Sequence, residues 1–236
     1  MIKDILVCFV LFLTNMIQAI TGFAGTLLAM PATMHLIGVN EAKALLNAVA
    51  QISCFFIVCS SWKDINWKEF FKMFILMIVG MVIGNALFEI FPLNSLLTIY
   101  GIMIIVIALW KLLIHRTLSL PIWMSYITIL MAGVIHGMFV SGGALLVIYA
   151  SSALKDKQSF RSTMALIWVT LGFYMTGIQI QQNHFNNHVI MLLVLGIIPV
   201  FLGTWCGSKL VEKIKQETFM KITYILLLLS GILVIM

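Results

Sequence analysis

Gly25-Thr26-Leu27-Leu28-Ala29-Met30 returns as Gly143-Ala144-Leu145-Leu146-Val147-Ile148, half a chain length later in a sequence of 236 residues. At the same offset Ala32-Thr33 falls on Ala150-Ser151, Met73 on Met191, and Lys43 on Arg161. Further on the register slips. Val82-Ile83-Gly84 pairs best with Phe201-Leu202-Gly203, and Leu97-Thr98-Ile99-Tyr100 with Lys221-Ile222-Thr223-Tyr224. The chain therefore reads as two related halves, 1–118 and 119–236, making one domain together. In an apolar chain such a repeat points to a secondary transporter, whose substrate site lies between the halves.

The chain is apolar enough for that. Hydrophobic residues make up 62% and charged residues 9%, against about 45–50% and 25% in soluble domains. So much apolar surface needs lipid as its solvent, and the fold class is an all-α integral membrane protein. The net charge of +6 has its place in short connections between apolar runs, so it reports topology and not nucleic-acid binding. Cys8, Cys54, Cys59 and Cys206 lie inside apolar runs without CxxC spacing. They read as small packing residues, not as disulfides or metal ligands.

Ten apolar runs are bounded by charge, Gly or Pro: 5–20, 23–38, 43–61, 69–90 and 95–110, then 122–137, 143–154, 160–178, 188–208 and 219–236. About 20 residues are needed to span a bilayer. The first two runs of each half are short, and a glycine-bearing break divides each pair: Thr21-Gly22-Phe23-Ala24-Gly25 and Val140-Ser141-Gly142-Gly143. They are expected to be short tilted spans or re-entrant segments. Residues 1–20 resemble a secretory signal, but their repeat mate lies in mid-chain, so they read as a retained segment.

Numbering the connections alternately puts twelve of the fourteen Lys and Arg residues on one side, in and around 63–72, 111–116, 155–161 and 209–221; Lys3 and Lys43 are on the other. By the positive-inside rule the crowded side is cytoplasmic and both termini lie outside a cell inner membrane. Five segments per half is an odd number, so the halves are expected to have inverted topology. Trp62, Trp67, Trp110, Trp123 and Trp205 sit near the expected interfaces; Trp168, in mid-segment, does not.

Acidic residues are nearly absent from the runs, and HExxH and GxSxG do not occur. There is no carboxylate pair for hydrolysis and no acidic ring for a cation pore, so an enzyme is not expected, nor a cofactor. What remains suits a small anion. The first N–H groups of a helix are unpaired and its dipole makes that end partly positive. Gly22, Gly25, Ser141, Gly142 and Gly143 would let an anion approach two such ends; close helix packing is the plainer reading of the same glycines. Lys43, Asn47 and Gln51 form one polar stripe at a spacing of four, and Arg161 and Thr163 open the matching segment. Snorkelling to the interface is the alternative for Lys43. His136 occupies the slot of Gln18 just before the second break, either as a proton carrier or as a neutral side chain bonded to a carbonyl.

The two glycine-bearing stretches, Thr21 to Pro31 and Val140 to Leu146, with a cation opening the segment after each, resemble the TauE/SafE sulfite exporter family. The likeness runs over the whole chain, with Tyr149 standing where Pro31 stands in the first half. It implies a small two-repeat permease for sulfite, organosulfonates or other sulfur-containing anions, working in the lipid bilayer. A proton or sodium is a candidate coupling ion, which neither the residues nor the resemblance selects. An anion channel, or a non-transporting membrane subunit of a larger complex, would use the same features.

Overall fold

The computed structural model describes residues 2–113 and 121–210, with single positions between 224 and 235. The first half holds α1 (Ile2–Thr21), α2 (Ala24–Ile37), α3 (Val39–Ser60), α4 (Trp67–Ile90) and α5 (Leu93–Leu113). The second holds α6 (Ile122–Phe139), α7 (Gly143–Ala153), α8 (Lys157–Gln181) and α9 (Asn187–Leu210). The described positions beyond 224 are helical, and Gly231 packs against Gly101 of α5. The expected tenth segment over 219–236 and the basic connection over 112–118 fall largely outside the described residues.

Local chemistry sets the ends of these helices. Asn66 caps α4 by accepting from the Glu69 N–H at 3.2 Å, and Asp156 caps α8 by accepting from the Ser159 N–H at 2.7 Å. Such caps satisfy backbone donors that have no partner within the helix. Pro92 and Pro121 directly precede α5 and α6, where proline's missing N–H costs little.

Among the described residues seven helices, α1, α3, α4, α5, α6, α8 and α9, are long and apolar enough to cross a membrane. This corrects one expectation: the first segment of each half is not short. Lys3 and Asp4 delay the start of the apolar run in α1, and Gly137 closes the run in α6, yet the helices reach 20 and 18 residues. The second segments are short as expected, with 14 residues in α2 and 11 in α7. At about 1.5 Å per residue neither covers a hydrocarbon core of about 30 Å. The exposed faces of the long helices are apolar, as with Phe71, Ile75, Val79 and Val82 on α4.

The halves interleave. α1 packs along α9 and α4 along α6, each pair joining one half to the other, while α3 packs against α8. Glycines bring the first two pairs close. A methyl at Gly133 would lie 2.8 Å from Met77 Cα, and one at Gly80 would strike Leu130 O. Gly203 and Gly207 stand in the same way over Phe12 and Met16 of α1. Small residues four apart permit such backbone approach where lipid supplies no hydrophobic drive.

Candidate functional site

The chain makes the same turn twice. α1 ends at Gly22, whose N–H donates to Gln18 O at 2.7 Å; α6 ends at Val140, whose N–H donates to His136 O at 2.8 Å. Gly22 has φ +80° and Val140 has φ +55°, and they are repeat mates. Glycine takes that left-handed conformation without cost. A β-branched valine does not, and its retention there marks a constrained backbone.

The two breaks touch. A methyl on Gly143 would lie 2.9 Å from Phe23 O. Gly142 is hemmed by Ala132 O and, at 2.9 Å from an added methyl, by His136 Cβ. Trp168 of α8 bridges the two. Its indole Nε1 donates to Gly22 O at 2.9 Å, and its ring lies 5.1 Å from that of His136. The tryptophan out of place in an interfacial reading is thus a strut between the breaks. Sequence reasoning marked it only as an exception.

Hydrogen bonding divides the breaks. At the first, the Gly25 N–H donates to Gln18 Oε1 at 2.7 Å, and the Ala24 N–H donates to Thr21 Oγ1 at 3.2 Å. The N-terminus of α2 is therefore closed by its own chain, and Gln18 is a residue the sequence did not single out. At the second, the N-cap is Gly142, which has no side chain to offer. Among the described residues no side chain accepts from the first N–H groups of α7. His136, in the slot of Gln18, is 4% exposed and its Nδ1 has no partner. Ser141 Oγ donates back to Phe139 O at 2.9 Å.

Each cation sits beside the other half's break. A methyl on Gly22 would lie 3.6 Å from Arg161 Cα. Arg161 donates to Ser208 Oγ at 3.3 Å, and its Nε is buried without a partner. Lys43 is 3% exposed, with Nζ 3.7 Å over the Phe88 ring; Phe88 packs edge-on against Phe139 at the second break. Lys43 therefore does not reach out of the bundle. Desolvated ammonium groups over aromatic faces gain about 2 kcal/mol.

The polar stripe on α3 meets α8. Asn47 Nδ2 lies 2.9 Å from Thr176 Oγ1 and 3.1 Å from Gln179 Oε1, and Gln51 Nε2 donates to Thr176 Oγ1 at 2.6 Å. These contacts run α3 antiparallel to α8, so Lys43 and Arg161 lie toward opposite ends. Thr163 is turned elsewhere: its Oγ1 accepts from the Asn66 N–H at 3.0 Å and holds the connection before α4.

A cavity of about 380 Å³ opens beside the first break, lined by Thr21, Phe23, Ser151, Lys155, Lys157 and Phe160 among others. At the opposite end the polar groups include carboxylates, Asp4, Glu41 and Glu89.

The model of one protein family, sulfite exporter TauE/SafE, matches residues 7–234. No curated protein and no solved structure matches the chain.

Proposed function

The chain belongs to the TauE/SafE sulfite exporter family, a family of multi-pass membrane transporters for sulfur-containing anions, and from that premise we propose that the second break holds the anion. The observation that carries this is the pairing of the side-chain-free N-terminus of α7 with the buried, unpartnered Nδ1 of His136. Backbone N–H groups and a helix dipole favour negative charge. A protonated His136 Nδ1 would add a donor. Gly142 and Gly143 let the second break pack closely on Ala132, His136 and Phe23, while Gly22, Gly25 and Ser141 shape the backbone around it.

Lys43 and Arg161 attract the anion from opposite ends of the α3–α8 pair, with Asn47 and Gln51 holding the two helices in register and Thr163 anchoring the basic connection. The cavity bearing Lys155 and Lys157 is the cytoplasmic vestibule. The mechanism is alternating access by two halves of inverted topology, 1–118 and 119–236, with both termini outside the inner membrane. Pairwise packing supports this reading: exchanging the halves turns the α1–α9 contact into α6–α4 and returns α3–α8 to itself.

The test is uptake by the purified protein in liposomes, with sulfite, sulfate, thiosulfate, sulfoacetate and a carboxylate analogue as probes. A saturable flux selective for a sulfur oxyanion, lost in His136→Leu, is expected. Unselective, channel-like current would replace alternation with a pore, and no flux for any probe would sink the transport assignment.

A further inference from the structure

At the end of the bundle away from the lysine-lined cavity, one side chain ties three helices. His188, in the first turn of α9, places Nδ1 3.1 Å from Glu41 Oε2 of α3 and Nε2 3.0 Å from Asp4 Oδ1 of α1. Asn186 fixes this corner by donating to Glu41 Oε1 at 2.7 Å while its own Oδ1 accepts from the Val189 N–H at 2.9 Å.

The geometry contains a statement about charge. An ionised carboxylate only accepts hydrogen bonds, and a neutral imidazole has one N–H and one lone pair. Both ring nitrogens can bond to carboxylates only when both carry protons. The neutral ring would turn a lone pair toward Asp4 or Glu41, so losing the proton converts one of the two bonds into a repulsion.

We propose that His188, Asp4 and Glu41 form a proton-binding site that clamps the ends of α1, α3 and α9, so that a proton taken up at this end holds it closed. Asp4 is also partnered by the amino-terminal ammonium, and His35 on the adjoining α2 is exposed. On α1, Lys3 is exposed and Cys8 carries no positive charge. On α3, Lys43 is buried against Phe88. His184, in the connection before α9, is held below the ordinary histidine value by burial and then by the charge of Lys43. α9 has no other charged residue before Lys209. Only the naming of this end as the outer one rests on the transport reading; the clamp itself does not.

The experiment therefore needs no substrate. Val189 is fully buried beside the tie, and a single cysteine there, in a chain otherwise free of cysteine, reports separation of α9 from its neighbours. Purified protein in detergent is labelled with a polar maleimide at about pH 6 and about pH 8.5. The reading is the ratio of labelling rates, His188→Gln over the parent, which cancels the reagent's own pH dependence. A ratio of about five at the lower pH, falling toward one at the higher, is expected for a partly exposed pair of ionic contacts. Glu41→Gln, which leaves the histidine in place, should give the same trend. A ratio equal at both pH values, whether raised or near one, would reduce His188 to packing and overturn the clamp. Because no anion is present, this failure would leave the transport reading untouched, and the liposome assay can fail without affecting the clamp.

Discussion

The two breaks share a backbone and differ in how their donors are met. Gly22 and Val140 take the same left-handed turn at repeat-equivalent positions. At the first, Thr21 and Gln18 fold back to accept from Ala24 and Gly25. At the second, glycine replaces the cap and a histidine with an unpartnered nitrogen replaces the glutamine. Repetition has kept a chain path; the hydrogen bonds along it have diverged. One break is closed by its own side chains, and at the other no described side chain accepts from the first N–H groups of the helix.

The largest expected contrast is between the two residues in the shared slot. Gln18→Leu leaves the buried Gly25 N–H unsatisfied and should lower stability by about 1–3 kcal/mol, read as a drop in thermal midpoint in detergent. His136→Leu removes no backbone partner, so its midpoint should stay close to the parent's. Its apparent affinity for the transported anion should fall by about a hundredfold, since hydrogen bonds involving charged groups are worth about 1.5–3 kcal/mol. The reverse pattern, with Gln18→Leu stable but inactive, would move the site to the first break.

A smaller effect is expected from the cations. Lys43→Gln and Arg161→Gln should each weaken the anion by about tenfold, less at high salt. Loading from outside should suffer more in Lys43→Gln, and loading from the cytoplasm more in Arg161→Gln. Sided transport in oriented vesicles measures this, and equal defects from both sides would defeat the two-vestibule idea.

Trp168→Phe keeps a ring against His136 but removes the donor to Gly22 O. About 1–2 kcal/mol of stability should be lost, together with a few-fold loss of affinity. Loss of stability alone would make the tryptophan a strut for the first break only.

The smallest change tests the shared turn. Gly22→Ala meets only ordinary contacts with Arg161, so its cost should be the backbone's, about 1 kcal/mol. Val140→Gly relaxes the same kind of turn but removes a side chain that is 1% exposed, and the lost packing should outweigh the relief, for a net loss of about 1–3 kcal/mol. Thermal unfolding reads both variants directly, and a gain of stability in Gly22→Ala would show that the first turn is not strained.

Much of the fold was legible because lipid makes apolar runs nearly coincide with helices. The run at 69–90 became Trp67–Ile90, and 188–208 became Asn187–Leu210. Where charged residues belong inside a helix, as with Lys3 and Asp4 in α1, the same rule cut the segment short. The site was legible only as residue types. The stripe of Lys43, Asn47 and Gln51 was visible at its spacing of four, but its partners Thr176 and Gln179 lie on another helix. Gln18 reaches seven residues forward to Gly25, a distance fixed by the turn at Gly22 and by no periodicity. Trp168 meets a carbonyl, which every residue carries, so no pattern of side chains could announce it.

The glycine seam between α4 and α6 also sets an order of manufacture. Gly80 and Gly84 on α4 are shaped for the backbone of Leu130, Gly133 and Val134, which the ribosome makes about 50 residues later. At about 5–20 residues per second that groove waits a few seconds without its partner, and α1 waits longer still for α9. A first half released alone would carry two unfilled seams into the bilayer. Separately translated halves should consequently recover a working bundle only when they meet in the same membrane, and each should be short-lived without the other.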